Sequence, residues 1–228
     1  MNEKNSYNEK SSYIVAITGA SGAIYGFNLL KELCSRLFFV YLIISKPAFK
    51  VIKDEINIFT DLDTDEWAGI TKINGDKIGD KIMDEISYKF NLDKGMFTYF
   101  DETLIEAKIS SGSAKNINGM AVVPCSMGSL SRIACGNSGN LIERAADVML
   151  KERKRLILSP RETPLNDIHL RNMLSLSYSG AIILPPVPAF YNKPATIEDM
   201  INFVTGKILD SFGITNELFK RWESYERF

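Results

Sequence analysis

Histidine and cysteine are scarce in this chain. One histidine, His169, and three cysteines, Cys34, Cys125 and Cys135, occur among 228 residues. These residues and the acidic ones do not show metal-ligand spacing, and no Gly-x-Ser-x-Gly elbow is present. The pattern argues against a metal centre and an elbow-type hydrolase, and an odd cysteine number without framework spacing indicates a reducing compartment. We expect His169 to be a hydrogen-bonded helix residue, and Cys125 and Cys135, which flank a loop, to be small packing residues rather than reactive thiols.

The chain also lacks an excess of charge of one sign and any long apolar run. Its formal net charge is -1, so no global field draws it to nucleic acid or anionic lipid. No apolar run approaches the length of a membrane helix, and residues 1–12 are polar, without the apolar core of a signal peptide. We therefore predict a cytoplasmic protein with a flexible tail at 1–12 and neither a nucleic-acid nor a membrane partner.

What the sequence does contain is an alternation of strand-like and helix-like segments. Apolar runs predict strands at 13–18, 37–44, 120–123, 155–158 and 181–184, and helical periodicity predicts helices at 23–35, 47–56, 141–151, 164–177 and 197–212. The order predicts a single-domain α/β protein at 13–228, with a Rossmann-like (flavodoxin-like), mostly parallel sheet covered by helices on both faces. Ligands of such sheets bind beyond the carboxyl ends of the strands.

Residues 57–108 carry the weakest pattern. They are richer in Asp, Lys and Gly, with one helix predicted at 76–90 and a candidate strand at 99–101. We interpret this segment as a variable insertion or lid rather than a second domain.

Three small-residue loops follow predicted strands: Gly-Ala-Ser-Gly at 19–22, Ser-Met-Gly-Ser at 126–129 and Ser-Pro-Arg-Glu at 159–162. A loop between a strand and a helix presents backbone N–H groups to a phosphate. The glycine spacing is not that of a dinucleotide loop, and the second strand ends in Ser45 and Lys46 instead of an acidic residue. NAD is therefore disfavoured, and a phosphate or a flavin edge is favoured.

Each of these features also has a purely structural interpretation. The first loop would then be a tight turn, Ser126 an ordinary helix cap and Ser111 a turn residue. Arg144 and Lys151, seven residues apart on one helix, would belong to a solvated, salt-bridged face. Tyr191 would anchor a proline-rich loop.

These segments together resemble the flavin prenyltransferases of the UbiX family. The resemblance covers residues 14 to about 222 and rests on ITGASGAIYG, LIISKPAFKVIKDE, SSGS, GAIILPPVPAFYNKP and the long PCSMGSLSRIACGNSGNLIERAADVMLKERKRLILSPRETPLNDIHLRNM. It implies a metal-independent transfer of the dimethylallyl group of dimethylallyl phosphate to N5 and C6 of reduced FMN. The product, prenylated FMN, would be the cofactor of a UbiD-type decarboxylase. Family members usually form dodecamers, with sites where subunits meet.

The resemblance also implies roles for individual residues. Those implied to bind FMN are Gly19, Ala20, Ser21, Ser45, Ser126, Met127, Gly128, Ser129 and Arg161. Those implied to bind or lie near dimethylallyl phosphate are Tyr191, Lys207, Ser111, Arg144, Lys151 and Trp222, and the implied catalytic residues are Glu162, Ser21 and Glu55. Cations and hydroxyls of this kind can stabilise a departing phosphate, and Glu162 can protonate it.

The chain departs from the family pattern at two single positions. Lys207 stands where Arg is usual, which would give the phosphate a point charge in place of a planar fork. Asn28 replaces a common Arg in the first helix, and we expect this to be a surface change.

Two other functions remain open from the residues. An FMN-dependent cysteine decarboxylase of the phosphopantothenoylcysteine type would share the fold, but this chain has no histidine before His169 and no PxMNxxMW-like motif. A non-enzymatic flavin carrier would use the same loops as the enzyme.

Overall fold

In a computed structural model of the protein, residues 11–60 and 77–222 are described, with the backbone alone at Lys77. The strands in these ranges are β1 (Ser12–Ile17), β2 (Phe39–Ile44), β3 (Phe97–Asp101), β4 (Ile117–Cys125), β5 (Arg155–Pro160) and β6 (Ile182–Ile183). The α-helices are α1 (Ala23–Ser35), α2 (Lys46–Ile56), α3 (Lys77–Phe90), α4 (Met127–Ala134), α5 (Leu141–Lys151), α6 (Asp167–Tyr178) and α7 (Ile197–Phe212).

The six strands form one sheet in the order β3-β2-β1-β4-β5-β6, and every neighbouring pair is parallel. This confirms the predicted Rossmann-like fold class. The order reverses between β1 and β4, because the chain fills one side of the sheet before crossing to the other. Such a reversal leaves a crevice beyond the carboxyl ends of these two strands, which is where ligands of α/β sheets bind.

Each face of the sheet carries its own apolar core. Val15 and Ile17 of β1 point to the core formed with α1, α2, α3 and α7, whereas Ile14 and Ala16 point to the core formed with α4, α5 and α6. Side chains of a strand alternate between faces, so strands covered on both sides must be apolar throughout. None of the helices in the described ranges is both long and apolar enough to cross a membrane.

The described part of the weakly patterned segment belongs to these layers. Ile82 and Ile86 of α3 are fully buried, and β3 pairs with β2 from Phe97 onward. Residues 61–76, including Asp76 at the predicted helix start, lie outside the described residues. The interpretation of 57–108 as an insertion stays a prediction.

The predicted tail needs a correction at its end. Ser12 is buried, pairs with Phe39, and donates its hydroxyl to the carbonyl of Asn116 at 2.8 Å. Because this hydrogen bond satisfies the hydroxyl, a polar residue can open β1. Residues 1–10 lie outside the described ranges.

The expectation that Asn28 is a surface change is also wrong. Its amide donates to the side-chain oxygens of Asn202 and Thr205 on α7, both at 3.0 Å. Asn28 therefore joins α1 to α7, the helix that carries the predicted donor-site residue Lys207.

Candidate active site

Thr18 ties the exits of β1 and β4 together. Its hydroxyl donates to the carbonyl of Pro124 at 2.8 Å and accepts from the backbone N–H of Ser126 at 2.7 Å. The side chain is 1% exposed, so both bonds lie away from water. They place the loops at 19–22 and 126–129 side by side. Sequence reasoning did not single out this residue, although it lies within the ITGASGAIYG segment, because its two partners lie more than 100 residues further along the chain.

The first loop ends in a helix N-terminus that holds a carboxylate. Gly22, the N-cap of α1, has φ 97°, a conformation that favours glycine. The Glu55 carboxylate of α2 accepts hydrogen bonds from the backbone N–H groups of Gly22 at 2.9 Å and Ala23 at 3.0 Å. The positive end of a helix favours negative charge. The structure therefore brings Glu55 next to Ser21, the residue before Gly22.

Ser45 offers a buried hydroxyl at the exit of β2. Its backbone N–H donates to the carbonyl of Ile17 at 3.0 Å, which joins this exit to β1. Its Oγ is buried and has no hydrogen-bond partner among the described residues. Buried polar atoms are nearly always satisfied in native proteins, so such a group calls for an explanation. A phosphate or ribityl oxygen of FMN would satisfy it, and the donor set at this edge therefore fits a flavin nucleotide.

Ser126 caps α4, as its structural interpretation predicts. Its hydroxyl accepts from the N–H of Ser129 at 3.3 Å and lies 3.1 Å from the Ser129 hydroxyl. Arg132 reaches the Ser129 hydroxyl at 3.5 Å and pairs with Glu143, which is 2% exposed. The N–H groups of a helix's first turn have no intrahelical partners. The cap therefore fixes a set of donors for an anion or a carbonyl, and the Arg132–Glu143 pair supports it from behind.

Arg161 and Glu162 follow β5 at the same edge, and both are exposed. The backbone N–H of Arg161 donates to the carbonyl of Cys125 at 3.1 Å, and a Glu162 carboxylate oxygen accepts from the N–H of Thr163 at 3.0 Å. Burial raises the pKa of the Tyr25 phenol, and the positive charge of Arg161 opposes that rise. Sequence reasoning did not single out Tyr25, which lies in the first turn of α1.

Tyr191 and Trp222 belong to an aromatic group beside α7. The Tyr191 ring packs edge-on against Phe203 at 6.0 Å and against Trp222 at 5.5 Å. Lys207 of α7 is half-exposed, and its ammonium lies 4.0 Å from a carboxylate oxygen of Asp210. The loop after β6 and the segment after α7 therefore meet on one side of this helix.

Ser111 and Lys151 lie at the opposite, amino-terminal edge of the sheet. Ser111 precedes β4, Lys151 precedes β5, and a side chain at Gly112 would collide with both Lys151 and Glu152. Arg144 pairs with Asp147 on the outer side of α5 at 2.8 Å. Within one chain, the structure thus does not bring Ser111 and Lys151 to the loops beyond the carboxyl ends of the strands.

The histidine and two of the cysteines, Cys34 and Cys125, take structural positions, whereas Cys135 is exposed, so the expectation that it is a packing residue is wrong. His169 completes the capping box of α6, with its backbone N–H donating to the Asn166 side chain at 2.9 Å, so the prediction of a hydrogen-bonded helix residue is confirmed. Burial raises the pKa of the Cys34 and Cys125 thiols to about 12 in each case. Within residues 11–60 and 77–222, no group of three or more His, Cys, Asp or Glu residues is placed to hold a metal ion.

Comparisons with known proteins identify the family of the chain. The family profile described as Flavoprotein matches residues 1–209. The flavin prenyltransferase UbiX of Halalkalibacterium halodurans is 46% identical over 213 residues, which cover 93% of this chain and 94% of that relative.

Two solved structures extend the similarity to the fold. A crystal structure of AnUbiX (PadA1) in complex with FMN and dimethylallyl pyrophosphate has a TM-score of 0.77 and 38% identity, covering 96% of this chain and 100% of that one. A dodecameric FMN-dependent UbiX-like decarboxylase from Escherichia coli O157:H7 has a TM-score of 0.75 and 36% identity, covering 93% and 100%. The cysteine-decarboxylase alternative is not favoured. The chain belongs to the Flavoprotein family and, within it, to the flavin prenyltransferases of the UbiX type.

Proposed function

We propose that the protein transfers the dimethylallyl group of dimethylallyl monophosphate to N5 and C6 of reduced FMN, producing prenylated FMN. The observation that carries the proposal is the meeting of three loops at the carboxyl edge of β1, β2 and β4, beside a buried Ser45 hydroxyl without a partner. This arrangement suits a phosphorylated, flat ligand.

The acceptor would lie along these loops. The residues proposed to hold FMN are Gly19, Ala20, Ser21, Ser45, Ser126, Met127, Gly128, Ser129 and Arg161. Reduced FMN would supply the nucleophilic positions: N5 would lose its proton and bond to the allyl carbon that leaves the phosphate, and C6 would lose its hydrogen and bond to one carbon of the alkene while the other alkene carbon takes up a proton. The protein supplies orientation: Thr18 and Glu55 fix two of the loops, and the Arg132–Glu143 pair fixes the Ser126 cap.

The donor phosphate would be held by Tyr191 and Lys207. Breaking the bond between the allyl carbon and the phosphate oxygen leaves both bonding electrons on the phosphate, which the Lys207 cation and the Tyr191 hydroxyl stabilise. Glu162 would supply a proton to the departing phosphate. The Trp222 ring would provide an aromatic wall for positive charge that develops on the allyl group.

Further cations would come from a neighbouring copy of the chain. Ser111, Arg144 and Lys151 lie on the far edge or the outer face, so in an assembly they can complete the site of another subunit. An exposed apolar stripe supports self-association: Leu170, Leu174 and Tyr178 recur every four residues on α6, and Tyr178 is 84% exposed. We propose a homo-oligomer, a dodecamer by similarity to the dodecameric relative.

The product would pass to a decarboxylase of the UbiD type, because prenylated FMN is of use only to an enzyme that takes it as cofactor. A cytoplasmic location is proposed from the sequence. Three free cysteines, two of them buried, are compatible with a reducing compartment.

Anaerobic incubation with FMN, a reductant and dimethylallyl monophosphate tests the proposal. Mass spectrometry of the released flavin should show the gain of one prenyl group. Glu162→Gln should bind FMN normally and lose most of this product. Unmodified flavin from the wild-type protein would support the flavin-carrier alternative, and carbon dioxide release from a cysteinyl substrate would support the decarboxylase.

The same assay with dimethylallyl diphosphate defines the donor. Because one similar enzyme was crystallised with the diphosphate, the two donors should be compared at equal concentration. We expect faster turnover with the monophosphate. The cations proposed here come from side chains alone, and a diphosphate carries more negative charge for them to balance. Faster turnover with the diphosphate would contradict the monophosphate assignment.

A further inference from the structure

Three polar side chains meet at the carboxylate of Asp210. The Arg221 guanidinium donates to it twice, from Nη1 to Oδ2 at 3.0 Å and from Nη2 to Oδ1 at 2.8 Å. The Asn216 amide donates to Oδ1 at 2.9 Å. The Lys207 ammonium lies 4.0 Å from Oδ2, which is too long for a hydrogen bond. Arg221 and Asn216 therefore satisfy Asp210, and the N–H donors of Lys207 are not used by it.

The segment 214–222 folds back along α7 and carries Arg221 to this position. Asn216 also donates to the carbonyl of Gly206 at 3.1 Å, and a side chain at Gly206 would collide with the ring of Phe219. The Arg221 guanidinium lies over the Phe219 ring at 5.2 Å. Trp222, the next residue, packs against Tyr191. Arg221 thus joins Lys207 and Tyr191 in one polar and aromatic group.

We propose that Arg221 is a positioning residue of the prenyl-donor site: by pairing with Asp210, it keeps the Lys207 ammonium available to an anionic phosphate. The inference rests on the proposed function, because it requires Lys207 to contact the donor. Lys207 and Asp210 are three residues apart on a helix, where opposite charges attract. A lysine is a point charge on a flexible stem, so without Arg221 it would turn to Asp210 and leave the phosphate.

The test compares Michaelis constants for dimethylallyl phosphate. Arg221→Met keeps an apolar contact with Phe219 but loses the charge, and it should raise the constant about tenfold, the effect of one charged hydrogen bond. FMN affinity should not change. Asp210→Asn combined with Arg221→Met removes the carboxylate that would attract Lys207, and it should restore a constant close to that of the wild type. Arg221→Lys, which keeps a cation beside Asp210, should also stay close to it.

A matched control is Arg36→Met, which breaks the Arg36–Glu32 pair at the far end of α1. It should change neither the Michaelis constant for dimethylallyl phosphate nor the FMN affinity. Lys207→Ala tests the proposed donor site independently of the positioning role of Arg221. If Lys207→Ala leaves the constant for the donor unchanged, the proposed donor site is wrong. If it raises that constant while Arg221→Met does not, or while the double variant stays impaired, the donor site stands and the positioning role is refuted. An Arg221→Met protein that loses FMN affinity and thermal stability together also refutes it.

Discussion

Replacing Thr18 by Val should weaken flavin binding by releasing the Ser126 loop. Valine keeps the branched shape of threonine, so packing in this buried position changes little. The hydroxyl is lost, and with it the bonds to the carbonyl of Pro124 and the backbone N–H of Ser126. The Pro124 carbonyl keeps the backbone bond from the N–H of Thr18 at 3.2 Å. The principal loss therefore falls on the Ser126 N–H.

The magnitude follows from burial. A buried donor left without a partner costs about 1–3 kcal/mol, and the more apolar methyl of valine returns about 0.8 kcal/mol. We expect a net loss of about 1 kcal/mol in the free energy of unfolding, within a range of about 0.2–2 kcal/mol. If the loop moves to satisfy the Ser126 N–H, about the same free energy is lost from FMN binding, which weakens it about tenfold.

Thr18→Ser is the matched variant, because it keeps the hydroxyl and loses a methyl group. It should lose about 1 kcal/mol of stability and retain wild-type FMN affinity. Urea unfolding at fixed protein concentration measures the first quantity, and fluorescence titration of FMN measures the second. If Thr18→Val binds FMN as tightly as Thr18→Ser, the bond between the two strand exits does not hold the flavin loop, and the reasoning fails.

Three further predictions concern the same site. Ser45→Ala should weaken FMN binding without destabilising the protein, because its hydroxyl has no partner in the described structure; calorimetric titration and thermal unfolding measure the two effects. Glu162→Gln should slow single-turnover transfer on the order of a hundredfold at unchanged FMN affinity, and an unchanged rate would remove Glu162 from the mechanism. The hydrogen bonds from Arg221 hold the pKa of Asp210 below its usual range. A carboxyl whose pKa is lowered by folding stabilises the protein at pH values above its unfolded-state pKa, and this stabilisation is lost as the pH falls through its folded-state pKa. Wild type should therefore lose more stability than Arg221→Met on acidification below about pH 4. Equal losses in the two proteins would contradict this.

Much of the fold could be predicted because its signals are local. The bounds predicted for α1, α5 and α7 agree with the structure. Asn140 caps the start of α5, and α7 runs from a Thr196–Asp199 capping box to Gly213. These helix ends are set by residues at the ends themselves, which the sequence shows directly. Where the prediction differs, local chemistry also explains it: α6 begins at Asp167 rather than at 164, because Asn166 is the residue that caps it.

The site was predictable only in part. The resemblance named the loop residues after β1, β2, β4 and β5, and the parallel order of the strands brings these loops to one edge because the carboxyl ends of all strands lie there. No local pattern connects the residues that hold the loops. Arg132 and Glu143 are eleven residues apart, and Arg221 and Asp210 are also eleven apart, a separation too long for direct contact within a single helix or strand.

The sequence by itself determined the alternation of strands and helices, the apolar strands buried on both faces, and the identity of the loops that carry polar groups, because these depend on periodicity and on residue type at nearby positions. Tertiary structure decided which polar groups meet. Thr18 acts on Ser126 only because β1 and β4 are neighbours in the sheet. Ser111 and Lys151 stand apart from Arg161 because a loop that enters a parallel strand lies at the opposite edge from one that leaves it.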